Sequence, residues 1–329
     1  MLFETGLVAL MLVAGAAAGQ AQEFPVSVEH IYGSTTIETK PERVVSVGMH
    51  EQDFLYALGI APVGVKEWWG EHPYATWPWA EEARAALDAE PAVMNGEGIN
   101  VEWVAAQDPD LIIAIYVSMD EETYEMLSQI APVVVTPAGY EAWGAPWQAE
   151  LAIIDEATSG TTEKSDVIIA DFAKRYADVR AQYPQLQGMT GTNIYHEGGA
   201  FTAWGSGDLA SKFLIDLGLV FPPELDALAQ DDNRIDISAE KIELLDMDVA
   251  IWPAESAATQ TEVEAMGLYQ LLDIAKEGRS VWLDDGDGLA YAAMSWQTPL
   301  SLGYLLDILP PKLAAAVDGD PATVVPRSE

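Results

Sequence analysis

Two histidine–glutamate pairs, "HEQDF" at His50 and "HEGGA" at His196, are the residues best able to hold a metal ion or move a proton. Neither runs on to the second histidine that a zinc-protease helix places one turn later. "WGSGD" (204–208) departs from the G-x-S-x-G pattern of a nucleophile elbow. "GEGIN" (96–100) lacks the third glycine and the leading strand of a dinucleotide fingerprint. "DDGDG" (284–288) is acidic and turn-like without the spacing of an EF-hand loop. There is no P-loop. The chain has no cysteine, which excludes disulfides, thiolate catalysis and cysteine-based metal sites. No catalytic constellation emerges, so neither an enzyme nor a resident cofactor is expected.

A different chemistry is concentrated in "WWGEHPYATWPWA" (68–80). It holds four of the eleven tryptophans, with a tyrosine and two prolines between them. Prolines break regular structure, so a loop is expected here. Such a cluster either packs under its own irregular segment or forms a wall of rigid faces against a ligand. Aromatic faces bury much area at small side-chain entropy cost. A wall of them suits a bulky, partly apolar ligand recognised by shape.

The elements that would position these residues alternate. "RVVSVG" (43–48) reads as a strand, "EQDFLYALG" (51–59) as a helix, "PVGVKEW" as a strand and "INVEWVAAQ" as a helix. "PDLIIAIY" (109–116), "EETYEMLSQI" and "PVVVTP" (132–137) continue the series. Strands alternating with helices imply a largely parallel sheet covered by helices. Thr161 to Tyr183 then runs without Pro or Gly, with Ile169, Phe172, Ala173, Tyr176, Val179 and Tyr183 at helical spacing until Pro184. At about 1.5 Å per residue this helix spans about 30 Å. Alternation resumes from "GTNIYHEGG" (191–199) to "SVWLDD" (280–285). The halves echo each other: "NVEWVAAQDPDLIIAI" aligns with "SAEKIELLDMDVAIWP", pairing Glu102 with Glu240 and Asp110 with Asp248. A duplication across a long helix implies two similar lobes.

The totals narrow the function. The 329 residues suffice for two domains, and half are hydrophobic. Lys+Arg number 15 against 53 Asp+Glu, a net charge of −38. That argues against nucleic acid, which needs a basic face. "LVALMLVAGAAA" (Leu7–Ala18) reads as an export signal cleaved near Ala18 or Ala21, although its start carries Glu4 and no Lys or Arg. A soluble, exported monomer is expected, organised as signal 1–22, first lobe 23–150, connecting helices 151–185 and second lobe 186–329.

The ordered set "PERVVSVGMHEQDFLYALGIAPVGV", "NVEWVAAQDPDLIIAIY", "LSQIAPVVV", "GDLASKFLIDLGLVFPPEL", "ISAEKIELLDMDVAIW" and "TPLSLGYLLDILPPKLAAAVDGDPA" resembles the helical-backbone (class III) substrate-binding proteins of ABC importers. Within them it is most similar to the ferric-siderophore-binding branch, from about Pro41 to Ala322. The resemblance implies an α/β fold of two parallel-sheet lobes joined by one long rigid helix, with the ligand cleft between lobes. It implies a periplasmic protein whose partners are a ferric siderophore and the ABC permease of the inner membrane. It also gives Glu102 and Glu240 a role, one glutamate per lobe docking on permease arginines. With one main crossing between lobes, large hinge closure is expected to be resisted.

Ligands of open α/β sheets sit beyond the carboxyl ends of the strands. Those ends carry His50, the Trp68–Trp79 loop, Tyr116, Tyr140 and Trp143 in the first half. In the second half they carry Tyr195, His196, Trp204, Trp252 and the "YAAMSW" segment with Trp296. Trp69, Tyr74 and Trp77 are expected to touch ligand, and Trp68 and Trp79 to serve as core. The cleft's candidate cations are Arg84 and Arg234. A strongly anionic catecholate chelate wants several cations, so a neutral or cationic hydroxamate complex fits better. The alternatives are haem, cobalamin, or a bare metal held by His50 and His196 across the cleft; a metal-dependent enzyme on this frame is a more distant one.

Overall fold

The computed structural model describes residues 24–230, 233–254, 257–283 and 288–326, the side chain of residue 197 excepted. The expected export signal and most of "DDGDG" lie outside the described residues.

The first lobe opens with an antiparallel hairpin, β1 (Val26–His30) and β2 (Gly33–Ile37). Then come β3 (Val44–Ser46), α1 (Glu51–Ala57), β4 (Gly64–Lys66), α2 (Pro78–Ala86) and β5 (Ala92–Met94). α3 (Val101–Ala106), β6 (Leu111–Ala114), α4 (Glu121–Ser128) and β7 (Val133–Val135) complete it. The sheet is parallel throughout, in the order β5-β4-β3-β6-β7. Its central strands are buried on both faces, which is why they read as unbroken apolar runs.

Two helices leave this lobe. α5 (Trp147–Ser159) closes on Gly160 in the left-handed conformation. α6 (Glu163–Gln182) is the expected 20-residue helix, stopped at Pro184. It buries Phe172 and Tyr176 against a core drawn from both lobes.

The second lobe comprises β8 (Gly191–Glu197), β9 (Ala200–Trp204), α7 (Leu209–Asp216), α8 (Pro223–Asp226), β10 (Arg234–Ile237) and β11 (Val249–Pro253). α9 (Ala257–Glu264), α10 (Asp273–Lys276), β12 (Ser280–Leu283), α11 (Leu289–Trp296) and α12 (Pro299–Ala316) follow. Its sheet order is β10-β9-β8-β11-β12. β8, β11 and β12 are parallel, as expected, whereas β9 and β10 run antiparallel. The reversal is local: Gly198 and Gly199 both take positive φ, +60° and +83°, which a two-residue hairpin turn needs and only glycine adopts freely.

The duplicated spacing has a structural counterpart. Asp110, just before β6, accepts the backbone N–H groups of Glu42 and Arg43 at the entrance to β3, both at 2.8 Å. Asp248, just before β11, accepts the N–H and hydroxyl of Thr190 at the entrance to β8, both at 2.8 Å. Each aspartate clamps the two central strands of its lobe.

The expectation of a single crossing needs correcting. α12 packs on α1, α2 and α6 as well as on α11 and β12. The chain returns to the first lobe at its end, and the lobes are tied twice. One continuous apolar core, from Val26 and Leu55 to Leu305 and Leu313, runs through both.

Candidate ligand-binding cleft

The floor of the cleft is the start of α1, where four consecutive polar residues, His50, Glu51, Gln52 and Asp53, are all buried. Each pins a different element. Glu51 Oε1 accepts the N–H groups of Ile115 and Tyr116 beyond β6, at 2.7 and 2.9 Å. Gly48 must be glycine here, because a Cβ would stand 1.7 Å from the Glu51 carboxylate. Gln52 donates to the Ala75 carbonyl in the tryptophan loop at 3.1 Å. Asp53 Oδ2 accepts from the Trp79 indole at 2.8 Å and from Thr298, the N-cap of α12, at 2.7 Å. Burial pushes the Asp53 carboxyl up to about 6 despite those two donors. His50 bonds the Trp296 carbonyl through Nδ1 at 2.6 Å and Glu150 through Nε2 at 3.0 Å.

These bonds remove the proposed metal pair. Both ring nitrogens of His50 are engaged. His196 Nδ1 stands 3.9 Å from Glu262 of α9, and its ring lies 5.1 Å from Phe201. Among the described residues no group of three or more His, Asp or Glu side chains converges as a metal site would require.

Above the floor lies the aromatic wall, with its members sorted differently than expected. Trp77 is 2% exposed and Trp296 1%, so both are core rather than contact residues. Trp77 stacks on Trp79 at 5.0 Å, nearly parallel, and meets Trp296 edge-on at 5.4 Å. Pro78 does not break structure; it opens α2 as its first residue, which needs no N–H. Trp68 and Trp69 rest on this layer, 4.3 and 5.5 Å from Trp296, and stay partly exposed. Trp68, expected as core, is therefore part of the open face. Both line a groove of about 740 Å³ with Glu67, Glu71, Asn95 and Glu97. Tyr116 continues the wall 6.0 Å from Trp68, and Trp143, 37% exposed, meets it edge-on at 4.6 Å.

The opposite side is built by Tyr195 of β8 and Tyr291 of α11. Tyr291 meets Trp69 at 5.6 Å and Tyr195 at 6.3 Å, so it bridges the lobes. Asp208 caps α7 near both Tyr195 and Tyr116; burial pushes its carboxyl up, and Lys212 on the same helix partly offsets its charge. Burial, and then neighbouring carboxylates, push both phenols well up, so they stay protonated donors. Tyr291 and Asp208 escaped the sequence reading. Tyr291 opens the "YAAMSW" segment, five residues before Trp296.

Five other expected contacts have partners outside the wall. Trp252 is 1% exposed in the second lobe's core, stacked on Trp282 at 4.8 Å with its indole N–H on Ser280. Arg84 chelates Glu81 on its own helix, at 2.9 and 2.6 Å, bonds the Ala89 carbonyl, and covers the ring of Tyr74 at 4.6 Å. Tyr74 is thus a partner of Arg84 and not of the wall. Arg234 pairs with Asp236 on edge strand β10. Trp204 ends β9 opposite Arg234, its carbonyl accepting from Ser211 at 2.9 Å. Lys66, beside the groove, gives its ammonium to the carbonyls of Gly96 and Gly98 at 2.8 Å each. Among the described residues, neither the groove lining nor the ring cluster includes an arginine or lysine.

Glu102 and Glu240 are both exposed, each in the first turn of the helical segment before its lobe's second core strand: α3 before β6, and a 3₁₀ segment over 239–245 before β11.

The model of the family described as periplasmic binding protein matches residues 44–285. The probable siderophore-binding lipoprotein YfiY of Bacillus subtilis is 27% identical over 272 residues, 79% of this chain and 80% of that protein. A periplasmic solute binding protein of Mycobacterium smegmatis has a TM-score of 0.79 and 32% identity, covering 89% of this chain and 98% of its own. PiaA of Streptococcus pneumoniae, solved in complex with ferrichrome, has a TM-score of 0.76 and 26% identity, covering 89% and 99%.

Proposed function

We propose a function that proceeds from one established fact: the chain belongs to the periplasmic binding protein family. It is a binding protein and not an enzyme. It captures a ferric siderophore between its lobes and delivers it to the permease of an ABC importer, working as an exported monomer in the periplasm. The relatives named for siderophores support the cargo class. The observation that carries the finer reading is the cleft's charge. Trp68, Trp69, Tyr116, Trp143, Tyr195 and Tyr291 offer faces and phenol donors, with Asp208 and the groove glutamates beside them. A trianionic catecholate complex would meet like charge there, whereas a neutral or cationic ferric hydroxamate meets aromatic surface and hydrogen-bond donors. Glu102 and Glu240, exposed at matching places, supply one docking carboxylate per lobe.

Tryptophan fluorescence of the chain from residue 24 onward tests the cargo class. It is titrated with ferrichrome, ferric enterobactin, iron-free siderophore, haem, cobalamin and free Fe(III), with inner-filter controls. Saturable one-to-one quenching by a ferric siderophore is expected. Quenching by haem, cobalamin or free metal alone would overturn the reading.

A further inference from the structure

His50 lies beneath the cleft, 1% exposed, and joins several elements. Its Nδ1 meets the Trp296 carbonyl at 2.6 Å and its Nε2 meets Glu150 of α5 at 3.0 Å. Its ring stacks on Tyr116 at 4.0 Å and lies edge-on to Phe54 at 5.3 Å. A carbonyl oxygen accepts, and so does Glu150 when ionised, so beside an ionised Glu150 both ring nitrogens donate. The geometry therefore describes an imidazolium. We propose that His50 is a positioning residue for the cargo wall: as an imidazolium it ties Trp296, on the segment returning from the second lobe, to α5 of the first, and holds Tyr116 at the cleft. The inference rests on the reading that this cleft holds the cargo.

The surroundings support the charged ring. Burial alone would lower its pKa, but Glu150, Glu51 and the Trp296 carbonyl outweigh that, and it stands above the usual 6.5. The titratable groups facing it are Glu150 from α5, Glu51 and Asp53 from its own helix, and Tyr116 from beyond β6; the returning segment presents a backbone carbonyl. A pKa raised on folding adds stability that is complete below 6.5 and lost as the pH rises through the folded value. Above it, a neutral ring can donate to only one of its two acceptors, and either Trp296 or Glu150 is released.

Nitrogen-15 spectra of histidine-labelled protein test this directly, since the chain has four histidines. One ring carrying protons on both nitrogens is expected at pH 7, absent from His50→Phe; a neutral His50 at that pH overturns the proposal. Glu150→Gln separates charge from shape, because a neutral ring can donate to Trp296 and accept from the amide. The near-ultraviolet circular dichroism of the tryptophan cluster is expected to fade at alkaline pH in the wild type and to stay level in Glu150→Gln. Ferrichrome affinity is expected to fall roughly tenfold over the same range in the wild type only. Equal pH profiles in the two proteins overturn the proposal. Failure of ferrichrome to bind wild type at pH 7 defeats the hydroxamate reading, while the spectra still decide the role of His50.

Discussion

The first lobe sends all five strands of its sheet in one direction; the second reverses after β8 at Gly198–Gly199. The lobes also differ in where their tryptophans end. A parallel strand must be followed by a long crossover that leaves the sheet at its carboxyl edge, where ligands sit. β4 does so and delivers Trp68 and Trp69 to the cleft. The second lobe turns back within two residues, and its large rings, Trp252 and Trp282, remain on β11 and β12 and stack together. Tryptophan content alone is therefore no sign of a ligand wall. Nor is a place in the crossover enough, since Trp77 follows the same strand and is 2% exposed; Trp68 and Trp69, just past the end of β4, stay partly open.

Mutating one tryptophan from each setting would break this contrast if it is wrong. Trp252→Ala empties a buried site in the second lobe, and about 3–5 kcal/mol of stability is expected to go in chemical denaturation. Cargo affinity of the folded fraction should not change. A loss of affinity without a loss of stability would reverse the assignment.

Asp53 sharpens the first lobe's side. Its pKa of about 6, against an ordinary 3.8, means the folded chain keeps a proton that the unfolded chain releases. That stability is complete below 3.8 and lost as pH rises through about 6. At about 1.4 kcal/mol per unit the loss is roughly 2–3 kcal/mol. Asp53→Asn avoids it, so its advantage over wild type should grow from pH 4 to pH 7 in urea denaturation. A constant difference would contradict the assignment.

Trp68→Ala with Trp69→Ala is the counterpart of Trp252→Ala. These partly exposed rings are expected to cost about 1–2 kcal/mol of cargo affinity, roughly a tenfold rise in Kd, with a smaller change in melting temperature. The smallest effect on binding belongs to the exposed pair. Glu102→Ala with Glu240→Ala should leave Kd unchanged and reduce uptake of iron by cells carrying the importer. Unchanged uptake would remove their docking role.

The two-lobed plan was legible because buried parallel strands and a 20-residue helix announce themselves by period. The reversal at "HEGGA" was not expected, although paired glycines after a strand are a hairpin signal. Arg84 was expected in the cleft, although Glu81, three residues earlier on one helix face, marks it for a local pair. The order of burial among Trp68, Trp69, Trp77 and Trp79 was not legible. It depends on Trp296, more than two hundred residues later, whose position is set by the return of α12 to the first lobe. The "HEQD" floor was hidden for the same reason: Glu150, Thr298 and the Trp296 carbonyl are distant in sequence.

Cargo charge is the central claim, and calorimetry with two hexadentate ferric complexes tests it most directly: neutral ferrichrome and trianionic ferric enterobactin, at low and at moderate salt. The account predicts tight one-to-one binding of the neutral complex, nearly independent of salt, and weak or absent binding of the anionic one. Tighter binding of the anionic complex, weakening as salt is added, would contradict it.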